Sequence, residues 1–157
     1  MNRATMTARL LGEASGPLSG IYLLTHRPTG KRYVGQSVNI RSRWADHRRT
    51  EGNAHLARAV WEEGPDAFLF EIVELCAPEE LDDRETFYIW AFDTLHPTGF
   101  NHNLGRGGER FDPDGWYAKN REELVSATAR LDQDPALLSQ FGEAVARLRS
   151  SLGRAAP

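Results

Sequence analysis

The chain has 157 residues, 40% apolar and 26% charged, with a formal charge of −3; this suits one globular domain and excludes disordered, fibrous or multi-domain designs. No apolar run approaches the roughly 20 residues of a membrane span, and MNRATMTARLLGEASG lacks the roughly 7–15 apolar residues of a secretory signal. The single cysteine, Cys76, leaves neither an internal disulfide nor a cysteine-rich zinc site, so the expectation is a cytoplasmic protein with no membrane partner.

In chain order, residues 1–19 are small and polar and read as a flexible lead-in. GIYLLTH and KRYVGQS read as two strands of a hairpin joined by RPTG, where Pro presets φ and Gly tolerates a positive one. Asn39 caps a helix over about 40–50, and HLARAVWEEG predicts a second helix ending at Gly64. FLFEIVEL at 68–75 has the character of a buried strand. After Pro78 an amphipathic helix runs to about 93, followed by a loop over 96–115. Residues 118–131 and 135–152 form two further helical patterns, here taken as a C-terminal helical extension over 118–152. Leu138, Phe141, Val145, Leu148 and Leu152 give the second of them an apolar stripe. That stripe either folds back onto the core or serves as an interface for a homodimer or protein partner.

The small net charge conceals a strong asymmetry. Residues 20–60 carry eight Lys/Arg against two acids, whereas residues 61–95 carry eleven acids against one arginine. Local field rather than net charge governs attraction to phosphate, so the basic segment is the candidate nucleic-acid surface, unless the two blocks are simply solvated faces.

Side chains alternate across a strand, so Ile21, Leu23 and Val34 can all face a core only if Tyr22 and Tyr33 share the other face. The two phenols are then expected together on a surface flanked by Arg32, Arg41 and Arg43, either as a chemical pair or as an aromatic pair that stabilises the hairpin. Arg43 and His47 are spaced i, i+4 and project from one helical face; they place a permanent cation beside a group that titrates near neutrality. Glu85 lies on the stripe marked by Leu81, Tyr88, Ile89 and Phe92. A carboxylate there requires a partner, either a metal or a nearby arginine.

Taken in order, GIY at 20–22, YVG at 33–35, Arg43 with His47, Glu85 in RETFYIW and Asn101 in GFN resemble the GIY-YIG endonucleases. The resemblance spans about 20–104, with YVG standing where the family motif has YIG, and marks 20–110 as the nuclease domain. It implies an α/β fold with a three-stranded antiparallel sheet flanked by helices, and hydrolysis of DNA phosphodiester bonds with Mg²⁺ or Mn²⁺. By the same resemblance Tyr22, Tyr33, Arg43, His47, Glu85 and Asn101 form the catalytic set, with Glu85 as metal ligand and Arg43 as the charge that stabilises the transition state. Lys31, Arg32, Arg41, Arg48, Arg49 and His55 are the expected DNA contacts. The segment GFNHNLGRGGE resembles the ends of nuclease domains in phage and intron-encoded enzymes, which favours a phage or mobile-element role in a bacterial or phage-infected cell. A restriction or defence nuclease, a non-catalytic nucleic-acid-binding module on the same fold and a protein-interaction domain are the alternatives.

Overall fold

Both alternating sets of GIYLLTH are apolar, Ile21 with Leu23 and Tyr22 with Leu24, which fits a strand buried on both faces. In the computed structural model, which describes residues 3–50 and 52–112, this segment is the central strand β1 (Gly20–His26). It pairs antiparallel with β2 (Arg32–Ser37) and β3 (Phe68–Leu75) in the order β2-β1-β3. The register sets Tyr22 opposite Gly35 and Leu24 opposite Tyr33.

Helices cover both faces. Ile21, Leu23 and Val34 pack against Leu81, Phe87, Tyr88, Ile89 and Phe92 of α4 (Leu81–Phe92). On the opposite face Tyr22, Leu24, Tyr33, Phe68 and Ile72 pack with Ile40 of α2 (Ile40–Arg48), with Leu56 and Val60 of α3 (Ala54–Glu63), and with Phe100. Each fully buried aliphatic or aromatic side chain contributes about 1.5–3 kcal/mol. The two helices of this second layer start where asparagines permit: Asn39 Oδ1 accepts from Ser42 N at 3.3 Å, and Asn53 Oδ1 from Leu56 N at 3.0 Å. Each cap is worth about 1 kcal/mol.

Two expectations are corrected here. The tyrosine pair does share a face, but that face is not a surface: Tyr22 is fully buried and Tyr33 is 9% exposed, because α2 and α3 fold over it. Nor is the lead-in without structure over its described residues, 3–19. Residues Arg3–Glu13 form a helix, α1, which lies along β3. Its Thr7 hydroxyl, 4% exposed, accepts a hydrogen bond from Ile72 N at 2.8 Å.

The other side of the sheet is closed by the segment after α4. Phe100 N donates to Arg32 O, and the Asn101 side chain both accepts from Val34 N at 3.0 Å and donates to Val34 O at 2.9 Å. Among the described residues no helix is long and apolar enough to cross a membrane. The C-terminal helical extension expected over 118–152 lies outside the described residues.

Candidate active site

At the β2 side of the sheet, side chains from both faces meet in an open cleft of about 600 Å³. Tyr22 and Tyr33 enter it from one face and Glu85 of α4 from the other, with Arg43 of α2 on the tyrosine side beside the Tyr22 phenol. The motif glycine explains how Tyr22 gets there. Gly35 stands opposite Tyr22 in the register, and a Cβ on Gly35 would overlap the phenol ring, so only glycine lets the ring lie across β2.

Tyr22 and His47 form a buried pair. The Tyr22 hydroxyl lies 2.6 Å from His47 Nε2, and His47 is 2% exposed. Burial, reinforced by the neighbouring Tyr33, raises the Tyr22 pKa well above its usual value, although Arg43 opposes the rise. Burial and then Arg43 push His47 down to about 4. At neutral pH the phenol therefore keeps its proton and the imidazole is neutral. It follows that Tyr22 O–H donates, Nε2 accepts, and the ring proton sits on Nδ1. Tyr33 is raised as well, by burial and then by Glu85, again against the pull of Arg43.

This pair ties stability to pH. Between the folded value of about 4 and the ordinary 6.5, the unfolded chain binds a proton that the folded protein does not. Stability contributed by His47 is thus complete above about 6.5 and falls as pH drops towards 4, by about 3 kcal/mol over the full range. Urea unfolding at pH 7 and pH 4.5 measures the difference. It shrinks in His47→Gln; an unchanged difference in that variant removes His47 as its source.

Glu85 is half-buried; its hydrogen-bond partner is an amide, while Arg106 in the same cleft contributes the favourable positive charge. Gln36 Nε2 donates to Glu85 Oε2 at 2.9 Å and to Asp82 Oδ1 at 2.7 Å. The amide thus holds two acids from successive turns of α4. Burial raises the pKa of Glu85, the Gln36 hydrogen bond lowers it, and Asp82 raises it again. Close by, Gly105 lies at φ +79°, and a Cβ there would come within 2.8 Å of Glu85 Oε2; any side chain at that position would crowd the carboxylate. Among the described residues no group of three or more His, Cys, Asp or Glu side chains is arranged to hold a metal ion, so protein donors alone do not form a closed cage around Glu85.

The remaining sequence-predicted residues divide sharply. Asn101, 5% exposed, does not line the cleft; it clasps Val34 between Tyr33 and Gly35 and is itself held by Thr94 Oγ1 at 2.7 Å. Two expected DNA contacts are engaged elsewhere. Arg32 donates to Phe92 O at 3.1 Å and lies over the Phe92 ring, while Arg41 donates to Leu11 O and Ala14 O, which fastens α1. Arg49 pairs with Asp46 at 2.7 Å. Arg48 is exposed at the end of α2, and Lys31 is exposed in the turn before β2. His55 stacks with other histidines and does not line the cleft.

Sequence reasoning missed Gln36, Asn103, Gly105 and Arg106, all of which line the cleft. Gln36 was findable, since it lies two positions beyond core-facing Val34 and so points towards the helix that carries Glu85. The loop residues carry no such signal.

Among known proteins, residues 18–97 match a family model described as the GIY-YIG catalytic domain. Two solved structures are similar over 54% of this chain. One is a mutant of the catalytic domain of intron endonuclease I-TevI, at 23% identity and a TM-score of 0.47 over 92% of that chain. The other is the catalytic domain of homing endonuclease I-TevI, at 24% identity and a TM-score of 0.47 over 97% of that chain. No curated protein sequence matches significantly.

Proposed function

The chain belongs to the GIY-YIG catalytic-domain family of nucleases, and from that membership we propose that it is a divalent-metal-dependent endonuclease hydrolysing DNA phosphodiester bonds in the cleft between Arg43 and Glu85. The observation that carries this reading is the convergence of Tyr22, Tyr33, Arg43 and Glu85, from four separate elements, on one open cleft.

The roles follow from the chemistry of each group. The Arg43 guanidinium grips non-bridging phosphate oxygens and stabilises the charge that builds up as the phosphorus becomes five-coordinate. Arg106, the second cation of the cleft wall, anchors the phosphate from the opposite side. Tyr22 takes a proton from the attacking water while giving its own to His47 Nε2. A phosphate against Arg43 favours this relay, since its negative charge offsets the guanidinium field that depresses the imidazole. Tyr33 orients the water and the phosphate.

A lone carboxylate in a wet cleft fits a hard divalent cation that retains waters and takes phosphate oxygens as its other ligands. Glu85 would hold Mg²⁺ or Mn²⁺, with Gln36 fixing the carboxylate and Asp82 adding negative potential. When bound, the ion supplies Lewis-acid stabilisation of the phosphoryl oxygens. Arg48 extends the phosphate-contacting surface along α2. The likeness of GFNHNLGRGGE to the ends of phage and intron-encoded nuclease domains supports a mobile-element or phage setting.

Incubation with supercoiled plasmid tests the reading. Nicked or linear product appears with Mg²⁺ or Mn²⁺ and disappears with EDTA. Intact plasmid under both conditions at saturating protein overturns the assignment.

A further inference from the structure

Three of the five histidines gather outside the cleft. The His55 ring stacks on His96 with centroids 4.2 Å apart and planes 8° from parallel, and His102 lies 4.5 Å from His55 at 39°. His55 is in the first turn of α3, whereas His96 and His102 lie in the segment after α4; the last two are exposed and His55 is half-buried.

The charged surroundings are one-sided. The groups that bear most strongly on His55 are all cationic or become so: His96, His102, Arg58 and Lys31. On the same helix, Glu62 is paired with Arg58 at 2.9 Å. Among the described residues no hydrogen bond ties down any of the three imidazole rings, and the three do not converge as a metal-holding group. Like-charged groups concentrated without a counter-charge are what an anion would relieve.

The segments that carry these rings run directly into the cleft. Asn103, next after His102, lines it. Gly52, three residues before His55, lies against Arg43, where a Cβ would come within 2.7 Å of Nη2. A nucleic-acid strand seated on Arg43 therefore continues towards the histidines along either segment.

We infer, on the reading that DNA is the substrate, that His55, His96 and His102, with Lys31 and Arg58, form a proton-dependent site for a DNA backbone phosphate flanking the scissile one. Burial and the neighbouring cations lower the His55 pKa, so the free protein resists protonating that ring. A phosphate restores the balance by drawing protons onto the rings, and DNA binding is thereby coupled to proton uptake. The sign is fixed: affinity rises as pH falls.

The test is fluorescence anisotropy of a labelled duplex bound to the full chain in EDTA, from pH 8.0 to 5.5 at constant ionic strength, because counterion release otherwise masks the effect. Wild-type affinity is expected to tighten by about tenfold across this range, roughly what a one-unit rise in the pKa of one imidazole on binding gives, and that of the triple variant His55→Gln/His96→Gln/His102→Gln by less than about twofold. The single variant His102→Gln gives an intermediate slope and serves if the triple variant folds poorly. An undiminished slope in the variants overturns the site while leaving the nuclease reading intact. Absence of DNA binding at every pH, together with uncut plasmid, overturns both. A third arm records the imidazole titrations by NMR. If inorganic phosphate alone raises them as far as duplex does, the site takes free phosphate and its assignment to DNA fails.

Discussion

Glu85→Gln lowers the single-turnover rate of DNA cleavage by about 10³-fold or more, the loss expected when several kcal/mol of metal-borne transition-state stabilisation disappear, and leaves duplex affinity in EDTA nearly unchanged. The separation arises because Glu85 faces the cleft from α4 and contributes nothing attractive to a polyanion. Structure is retained, since the new amide oxygen still accepts from Gln36 Nε2, which now donates to Glu85 Oε2. The raised pKa of Glu85, caused first by burial, adds a signed expectation: at pH 7 the folded protein holds this carboxylate at a cost, so its neutral replacement melts at the same temperature or higher. Single-turnover cleavage and thermal unfolding of the same preparation decide the matter. Activity within tenfold of wild type removes Glu85 from metal binding, and a collapsed melting temperature assigns it a structural role.

Arg43→Ala lowers the chemical step by about 10²–10³-fold, the usual effect of losing one preorganised charge partner of the transition state. Arg43→Lys recovers only part of the loss, because a point charge replaces the planar fork. Folding is little affected: Arg43 is 31% exposed and its ion pair with Asp46 is long, at 3.8 Å. A second readout separates chemistry from mere phosphate attraction. Arg43 is the second cause, after burial, holding His47 down at about 4, so in Arg43→Ala the imidazole titrates closer to its ordinary value by NMR. Unchanged cleavage with a shifted His47 would leave Arg43 an electrostatic neighbour without a catalytic part.

How much of this was legible in the sequence depended on whether a contact is apolar and periodic. The hairpin, β3 and the covered stripe of α4 follow from alternation and helical spacing, and the starts of α2 and α3 from their capping asparagines. α1 escaped because its seam with β3 includes a polar contact, Thr7 to Ile72 N, which no hydrophobic period reports. Alternation places Tyr22 and Tyr33 on one face but does not report that the face is covered. The clue was Leu24, which makes both faces of β1 apolar. Glu85 stood out as a carboxylate on an inward stripe, whereas Asn103 and Arg106 reach the cleft by loop geometry alone. Arg32 and Arg41 count simply as surface charge in a sequence, whereas in the structure their guanidiniums also satisfy backbone carbonyls.

The way the sheet ends has a consequence for how these molecules meet one another. A three-stranded sheet has two rims of unpaired backbone, and such rims invite strand addition by neighbours and, beyond that, fibrillar stacking. Here neither rim is left bare along its middle: Asn101 occupies both backbone groups of Val34 on one, and Thr7 takes the Ile72 amide on the other. A foreign strand has to dislodge a side chain, and the segment behind it, before it can zip on. The asparagine that steadies the tyrosine strand is also a guard against cross-β association.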